Sequence, residues 1–228
     1  MIEINIMKKS IKILLIIISL FALFYIVAMK SSNEVEKTFA ILNKSQQQTF
    51  KDGDIIFQSS QSEQCEAVRI ATNSKFSHCG IIFNENGKCY VYEAIQPVKK
   101  TLINDWITHG IDSKYLVMRL KDSTLLVKSS LDKMKSYGEN LFEKDYDIYF
   151  EWSDENIYCS EYVWKIYKNG ANIELCSLEK LKSFNLDDYR VKAILSERYG
   201  KNIPLNEDVV APSQLAKSNK LVTIFDNY

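Results

Sequence analysis

The stretch that decides the fold is FSHCGIIFNENGKCYVYEA, residues 76–94. Two apolar or alternating runs flank Asn84-Glu85-Asn86-Gly87. Turn residues between two such runs are a strong hairpin signal. A turn centred within Asn84–Gly87 places His78 opposite Glu93. Cross-strand partners have Cβ atoms about 4.5–5.5 Å apart, within reach of an imidazole–carboxylate hydrogen bond. An acid inside VYEAI is out of place on a purely structural strand, as is a histidine at the head of a wholly apolar run.

Around this hairpin the pattern alternates between short strands and helices. KDGDIIFQ (residues 51–58) reads as a turn and a strand. SSQSEQCEAVRIATNS (residues 59–74) reads as a helix capped by Ser60 or Ser62, with Cys65 among its core residues. YLVMRL (residues 115–120) is a further strand. STLLVKSSLDKMKSYGENL (residues 123–141) has helical periodicity over about four turns. NIYCSEYVWKIYKNG (residues 156–170) is a helix for which Asp154 or Asn156 could supply the cap, ending at Gly170. VVAPSQLAKSNKLVTIF (residues 209–225) gives a short helix and a last strand. Antiparallel strands and helices in this order imply an α+β domain with segregated layers.

The ends and the bulk composition bound the function. Lys8, Lys9 and Lys12 precede an uncharged run from Ile13 to Met29. At 1.5 Å per residue this is roughly 25 Å of helix, near the lower limit for a bilayer span. Residues 1–30 therefore read as an uncleaved signal anchor, or alternatively as a cleaved signal peptide, with residues 11–29 in the membrane. Residues 31–49 form a polar helical tether. The domain of residues 50–228 is then expected outside the cytoplasm. Lysine plus arginine equals aspartate plus glutamate at 29 each, so composition offers no electrostatic footprint for nucleic acid.

Five cysteines are present: Cys65, Cys79, Cys89, Cys159 and Cys176. None are spaced C-x-x-C, which excludes a zinc ribbon or a thioredoxin-like motif. A thiol needs an activating environment to act as a nucleophile, and the first turn of a helix provides one. Only Cys159 stands at such a position. From the residues alone it reads either as a buried small side chain or as a nucleophile. Of the two histidines, His109 reads as the end of a helix and His78 as either a structural residue or a base.

Taken together, DGDIIF, FSHCGIIF…VYEA, YCSEYVWKIY and APSQLAKSNKLVTI resemble the YiiX/YebB-like branch of the NlpC-type cysteine hydrolases, over roughly residues 50–226. That branch is a papain-like group whose chain is circularly permuted, so that histidine precedes cysteine. The resemblance implies that Cys159 is the nucleophile, His78 its base and Glu93 the residue orienting the base. Asp54 matches a position read as structural. Tyr158 stands where unpermuted murein endopeptidases often carry aspartate, and its hydroxyl is a candidate oxyanion donor beside the helix N–H groups. The implied chemistry is acyl transfer to sulfur, with no metal or organic cofactor. Expected substrates are a murein-type peptide or a lipid acyl group. The alternative is a catalytically silent module binding a peptide or acyl chain.

Overall fold

The computed structural model describes residue 29 and residues 49–228, and the folded unit is Lys51–Tyr228. Apart from residues 29 and 49, the expected anchor and tether lie outside the described residues. Among the described residues no helix is long and apolar enough to cross a membrane.

In chain order the elements are β1 (Ile55–Gln58), α1 (Glu63–Thr72), β2 (His78–Glu85), β3 (Lys88–Glu93), β4 (Lys99–Leu102), α2 (Ile103–Thr108), β5 (Leu116–Leu120), α3 (Lys128–Glu139), α4 (Cys159–Ala171), β6 (Glu179–Lys180), α5 (Tyr189–Tyr199), β7 (Asp208–Val209), α6 (Pro212–Ala216) and β8 (Leu221–Asp226). Six strands make one antiparallel sheet in the order β4-β3-β2-β1-β5-β8, and β6 pairs with β7 separately. The expected α+β architecture is what forms.

The β2–β3 turn differs by one step from the reading above. Its two central residues are Asn86 and Gly87, both at positive φ. Asn-Gly is the residue pair that the tightest hairpin turn requires. Glu85 therefore pairs with Lys88, and Ile81 with Tyr92. Because the correction moves each partner by two residues, every side chain keeps its face.

The main core lies between the sheet and two helices. Ile55, Phe57, Ile81, Phe83 and Tyr92 pack against Met134 of α3 and Tyr162, Val163, Ile166 and Tyr167 of α4. Helices α3 and α4 meet at unusually short range because glycine stands at the contact. A Cβ added at Gly170 would lie 2.4 Å from Met134 Cα and 2.6 Å from its nitrogen. The Tyr162 hydroxyl donates to the Gly138 carbonyl at 3.0 Å across the same seam. This close packing fixes α4 against α3.

The start of α4 is itself held by buried charge. The N-cap is Tyr158, in place of the expected Asp154 or Asn156. Its N–H donates to Glu161 Oε2 at 3.3 Å, and Glu161 Oε1 pairs with Lys165 Nζ at 2.8 Å. Asp154 binds that same ammonium at 2.6 Å. An apolar-ringed cap is possible here because Glu161 reaches back along the helix. At the other end α4 runs one residue past Gly170, and Asn172 closes it at a left-handed φ of 56°.

Candidate active site

Cys159 is the first residue of α4, 4% exposed, and faces the head of β2. Tyr158 offers no side-chain acceptor to the first turn. The first backbone N–H groups of α4 are therefore available to negative charge, as at any uncapped helix start.

His78, the first residue of β2, lies against Cys159 on one side and Glu93 on the other. Its Nε2 is 2.6 Å from Glu93 Oε2. Glu93 occupies Nε2, which leaves Nδ1 for the side of the ring near Cys159. The corrected register puts Gly80, not His78, directly across from Glu93. With no side chain at Gly80, the carboxylate is free to reach diagonally to residue 78. The site has no room for one: a Cβ on Gly80 would meet Val91 Cγ1 at 2.4 Å and the Tyr92 carbonyl at 2.8 Å. Glu93 is fixed further by Thr101, whose hydroxyl donates to Oε1 at 2.5 Å. Trp106 of α2 stacks on the imidazole, ring centroids 5.8 Å apart at 26°.

The electrostatics follow from these contacts. Burial alone would lower the His78 pKa, but hydrogen bonds to Cys159 and Glu93 outweigh it and raise it to about 10. Cys159 is lowered well below an ordinary thiol, first by a hydrogen bond from Cys79, against burial, and then by His78. Glu93 is also lowered, burial being overcome by His78. The arrangement is a thiolate–imidazolium pair backed by a carboxylate. By contrast, burial pushes Cys79 well up, Cys89 up to about 12 and Cys176 up to about 11. The described cysteines are all unpaired thiols.

Two tyrosines flank the sulfur. The Tyr158 hydroxyl accepts from Val210 N at 3.1 Å, so one of its lone pairs is engaged away from Cys159. Burial first, and then the nearness of Cys159, hold the phenol of Tyr146, which the sequence did not single out, well above its ordinary range. It also accepts from Gln64 Nε2 at 3.3 Å. A parallel bridge between Tyr146 and Ile157 ties its irregular segment to the residues entering α4. His109 is the C-cap of α2, as the sequence suggested.

From Cys159 an apolar cleft opens toward solvent. Ala67, Val68 and Ala71 of α1 form one wall, and Val191, Ile194 and Leu195 of α5 the other. Helix α5 was not recognised in the sequence. Its Asp188 cap is present, but only two of its side chains are buried, which leaves a weak helical stripe.

The model of a family described as permuted papain-like amidase enzymes of the YaeF/YiiX type matches residues 49–225. A curated protein of Escherichia coli, YiiX, is 43% identical over 172 residues, covering 75% of this chain and 84% of that protein. A crystal structure of YiiX from Escherichia coli, described as a metalloprotein, superposes with a TM-score of 0.75 at 42% identity. The match covers 78% of this chain and 98% of that one.

Proposed function

The chain belongs to the permuted papain-like amidase family, and on that premise we propose that it is a cysteine acyl hydrolase acting on a substrate with a long apolar acyl chain. The observation that carries this reading is the cleft. Its walls are almost wholly hydrocarbon, and Cys159 is among the residues that line it. A murein-type peptide carries charged and polar groups that such walls would leave unpaired. An acyl chain has none.

In this reading Cys159 attacks the acyl carbonyl as a thiolate, and a C–S bond forms as the carbonyl oxygen takes the electron pair. The first N–H groups of α4 stabilise that oxyanion, and the Tyr146 phenol is a nearby second donor. Collapse expels the alcohol or amine, which takes its proton from the His78 imidazolium. Water, deprotonated by His78, then cleaves the thioester, releasing the carboxylic acid and restoring the thiolate. Glu93 keeps the ring oriented and its charge stabilised throughout. Among the described residues no group of three or more His, Cys, Asp or Glu side chains is placed to hold a metal ion. The metalloprotein description of the Escherichia coli relative therefore finds no matching donor set here, and no step is routed through a metal. Membrane tethering through residues 11–29 would bring the cleft to lipid substrates and belongs to the same proposal.

Chain-length dependence tests it. Burying each added methylene is worth up to about 0.8 kcal/mol, or about fourfold in kcat/KM. From acetyl to octanoyl esters, kcat/KM is expected to rise by at least about a hundredfold. Ala71→Phe, which fills the cleft wall, should remove most of that rise while leaving acetyl transfer within about threefold. A flat chain-length series, together with cleavage of murein tripeptides, would transfer the assignment to peptide substrates. Octanoyl binding without turnover would make the chain a binding module.

A further inference from the structure

Apart from Cys159, one residue in the lining of the apolar cleft carries a charge, and the mechanism above does not use it. Arg198 is half-buried on the face of α5 that carries Ile194 and Leu195 one turn earlier. Its Nη1 donates to the Ile148 carbonyl and its Nη2 to Gln64 Oε1 at 2.8 Å, both neutral acceptors. The ring of Phe150, another lining residue, lies 5.4 Å from its guanidinium. Asp147, in the same segment as Ile148, spends its two oxygens on the N–H groups of Tyr149 and Glu151. Among the described residues, then, Arg198 is in contact with no carboxylate, and only two of its five N–H groups are used. A cation in an apolar wall that is held by neutral groups alone is short of an anion.

The same hydrogen bonds place the guanidinium along the cleft. The Gln64 amide that accepts from Arg198 also donates, through Nε2, to the Tyr146 hydroxyl at 3.3 Å. One amide group therefore joins Arg198 to Tyr146, and their polar atoms are under about 9 Å apart. Tyr146 bridges to Ile157, two residues before Cys159. Gln64 is in the first turn of α1, and Ala71 stands two turns further along, roughly 10 Å away. That far end of the cleft is hydrocarbon, from Ala71, Leu186 and Val191. The cleft is polarised: its cation is at the end that Tyr146 ties to the start of α4, and its apolar walls run away from it.

We propose that Arg198 determines substrate specificity: the substrate carries an anionic group, a carboxylate or a phosphate, on the leaving-group side of the bond that Cys159 attacks, and the Arg198 guanidinium binds it. This rests on the reading of the chain as a cysteine acyl hydrolase. A guanidinium presents its N–H groups in a planar fork that fits the oxygens of either anion. The acyl chain then lies between α1 and α5 toward Ala71, and the group that leaves stays beside Arg198. An anion at the far end of the chain would instead lie among Ala71, Leu186 and Val191 without a partner.

The test compares octanoyl esters of matched shape: 4-octanoyloxybenzoate and 4-octanoyloxyphenyl phosphate, both anionic, and the neutral 4-octanoyloxybenzamide. Dissociation constants are measured by calorimetry in the full chain carrying Cys159→Ala, which leaves the esters intact. Arg198 is kept or changed to Lys or Gln, and kcat/KM is measured for the same Arg198 variants with Cys159 present. A ratio of anionic to neutral ester within one variant cancels any loss of folded protein or of basal catalysis. With Arg198 in place, at least one anionic ester should be favoured by about 10–100-fold, the range for a hydrogen-bonded charge pair. Lysine keeps the charge without the fork and should keep part of the preference. Glutamine should bring it close to onefold. No anionic preference in the chain with Arg198 overturns the proposal, and turnover of the neutral ester in that case leaves the hydrolase reading intact. A preference that survives Arg198→Gln also overturns it, because the anion is then read elsewhere. Anionic preference in binding that Arg198→Gln removes, with no ester turned over when Cys159 is present, upholds the anion site and removes the hydrolase reading. Binding of none of the three esters overturns both.

Discussion

His78→Ala is expected to lower acyl-ester hydrolysis by about 10³-fold, and Cys159→Ala to reduce it to background. The reason is electrostatic and visible before any substrate binds. Cys159 is lowered as a thiol and His78 raised to about 10, so the ion pair spans a wide pH window. The signs are opposite at the two ends. As pH falls through the lowered thiol value, the sulfur takes a proton and reactivity is lost. As pH rises through about 10, the imidazolium loses its proton and the pair is lost from the other side. Without His78 the sulfur keeps its burial and loses its cation. At pH 6 a thiol of ordinary pKa near 8.5 is about 0.3% thiolate, so alkylation of Cys159 should fall by about 10²–10³-fold. Cys89 and Cys176, both raised, should be labelled only in strong base and serve as internal controls. Equal labelling of all five thiols in wild type at pH 6 would contradict this.

Asp54→Ala is expected to destabilise the folded unit by about 3–5 kcal/mol, because it removes the buried carboxylate that a partly buried guanidinium grips. Asp54 is 1% exposed just before β1. Arg119 of β5 grips both its oxygens, Nε to Oδ1 at 2.7 Å and Nη2 to Oδ2 at 2.7 Å. Lys51 N also donates to Oδ2 at 2.8 Å and closes the turn into the strand. Removing the acid frees a turn and leaves the Arg119 guanidinium with its main anionic partner gone. For a domain of this size the loss corresponds to a fall in Tm of about 6–20 °C. The double variant Asp54→Leu/Arg119→Met should recover part of it, since the guanidinium that lost its carboxylate is gone as well. A melting temperature unchanged by Asp54→Ala would show that the buried pair contributes nothing.

The elements that the sequence made legible are those with strong local chemistry. Asn86-Gly87 announced the hairpin, and the alternation on either side kept His78 and Glu93 on one face. That parity is why the pair meets although its register was read two residues off. Cys159 near the head of α4 followed from reading NIYCSEYVWKIYKNG as a helix that ends at Gly170. What stayed hidden depends on distant contacts. Tyr146 is one tyrosine among 13 and sits in an irregular segment placed by its bridge to Ile157. No period in the sequence could mark it. The cap of α4 was misread because short polar residues usually cap helices. Here burial of Tyr158 and the return bond from Glu161 replace that chemistry. Helix α5, and with it part of the cleft lining, was missed because its buried stripe is only Val191 and Leu195.

The central claim is that an acyl group passes through the Cys159 sulfur. Intact-protein mass spectrometry during turnover of an activated octanoyl ester tests it most directly. The account predicts one added octanoyl group, mapped to the Cys159 peptide, released by hydroxylamine and absent from Cys159→Ala. Product accumulating with no acylated protein, or with the acyl group on any residue other than Cys159, would contradict it.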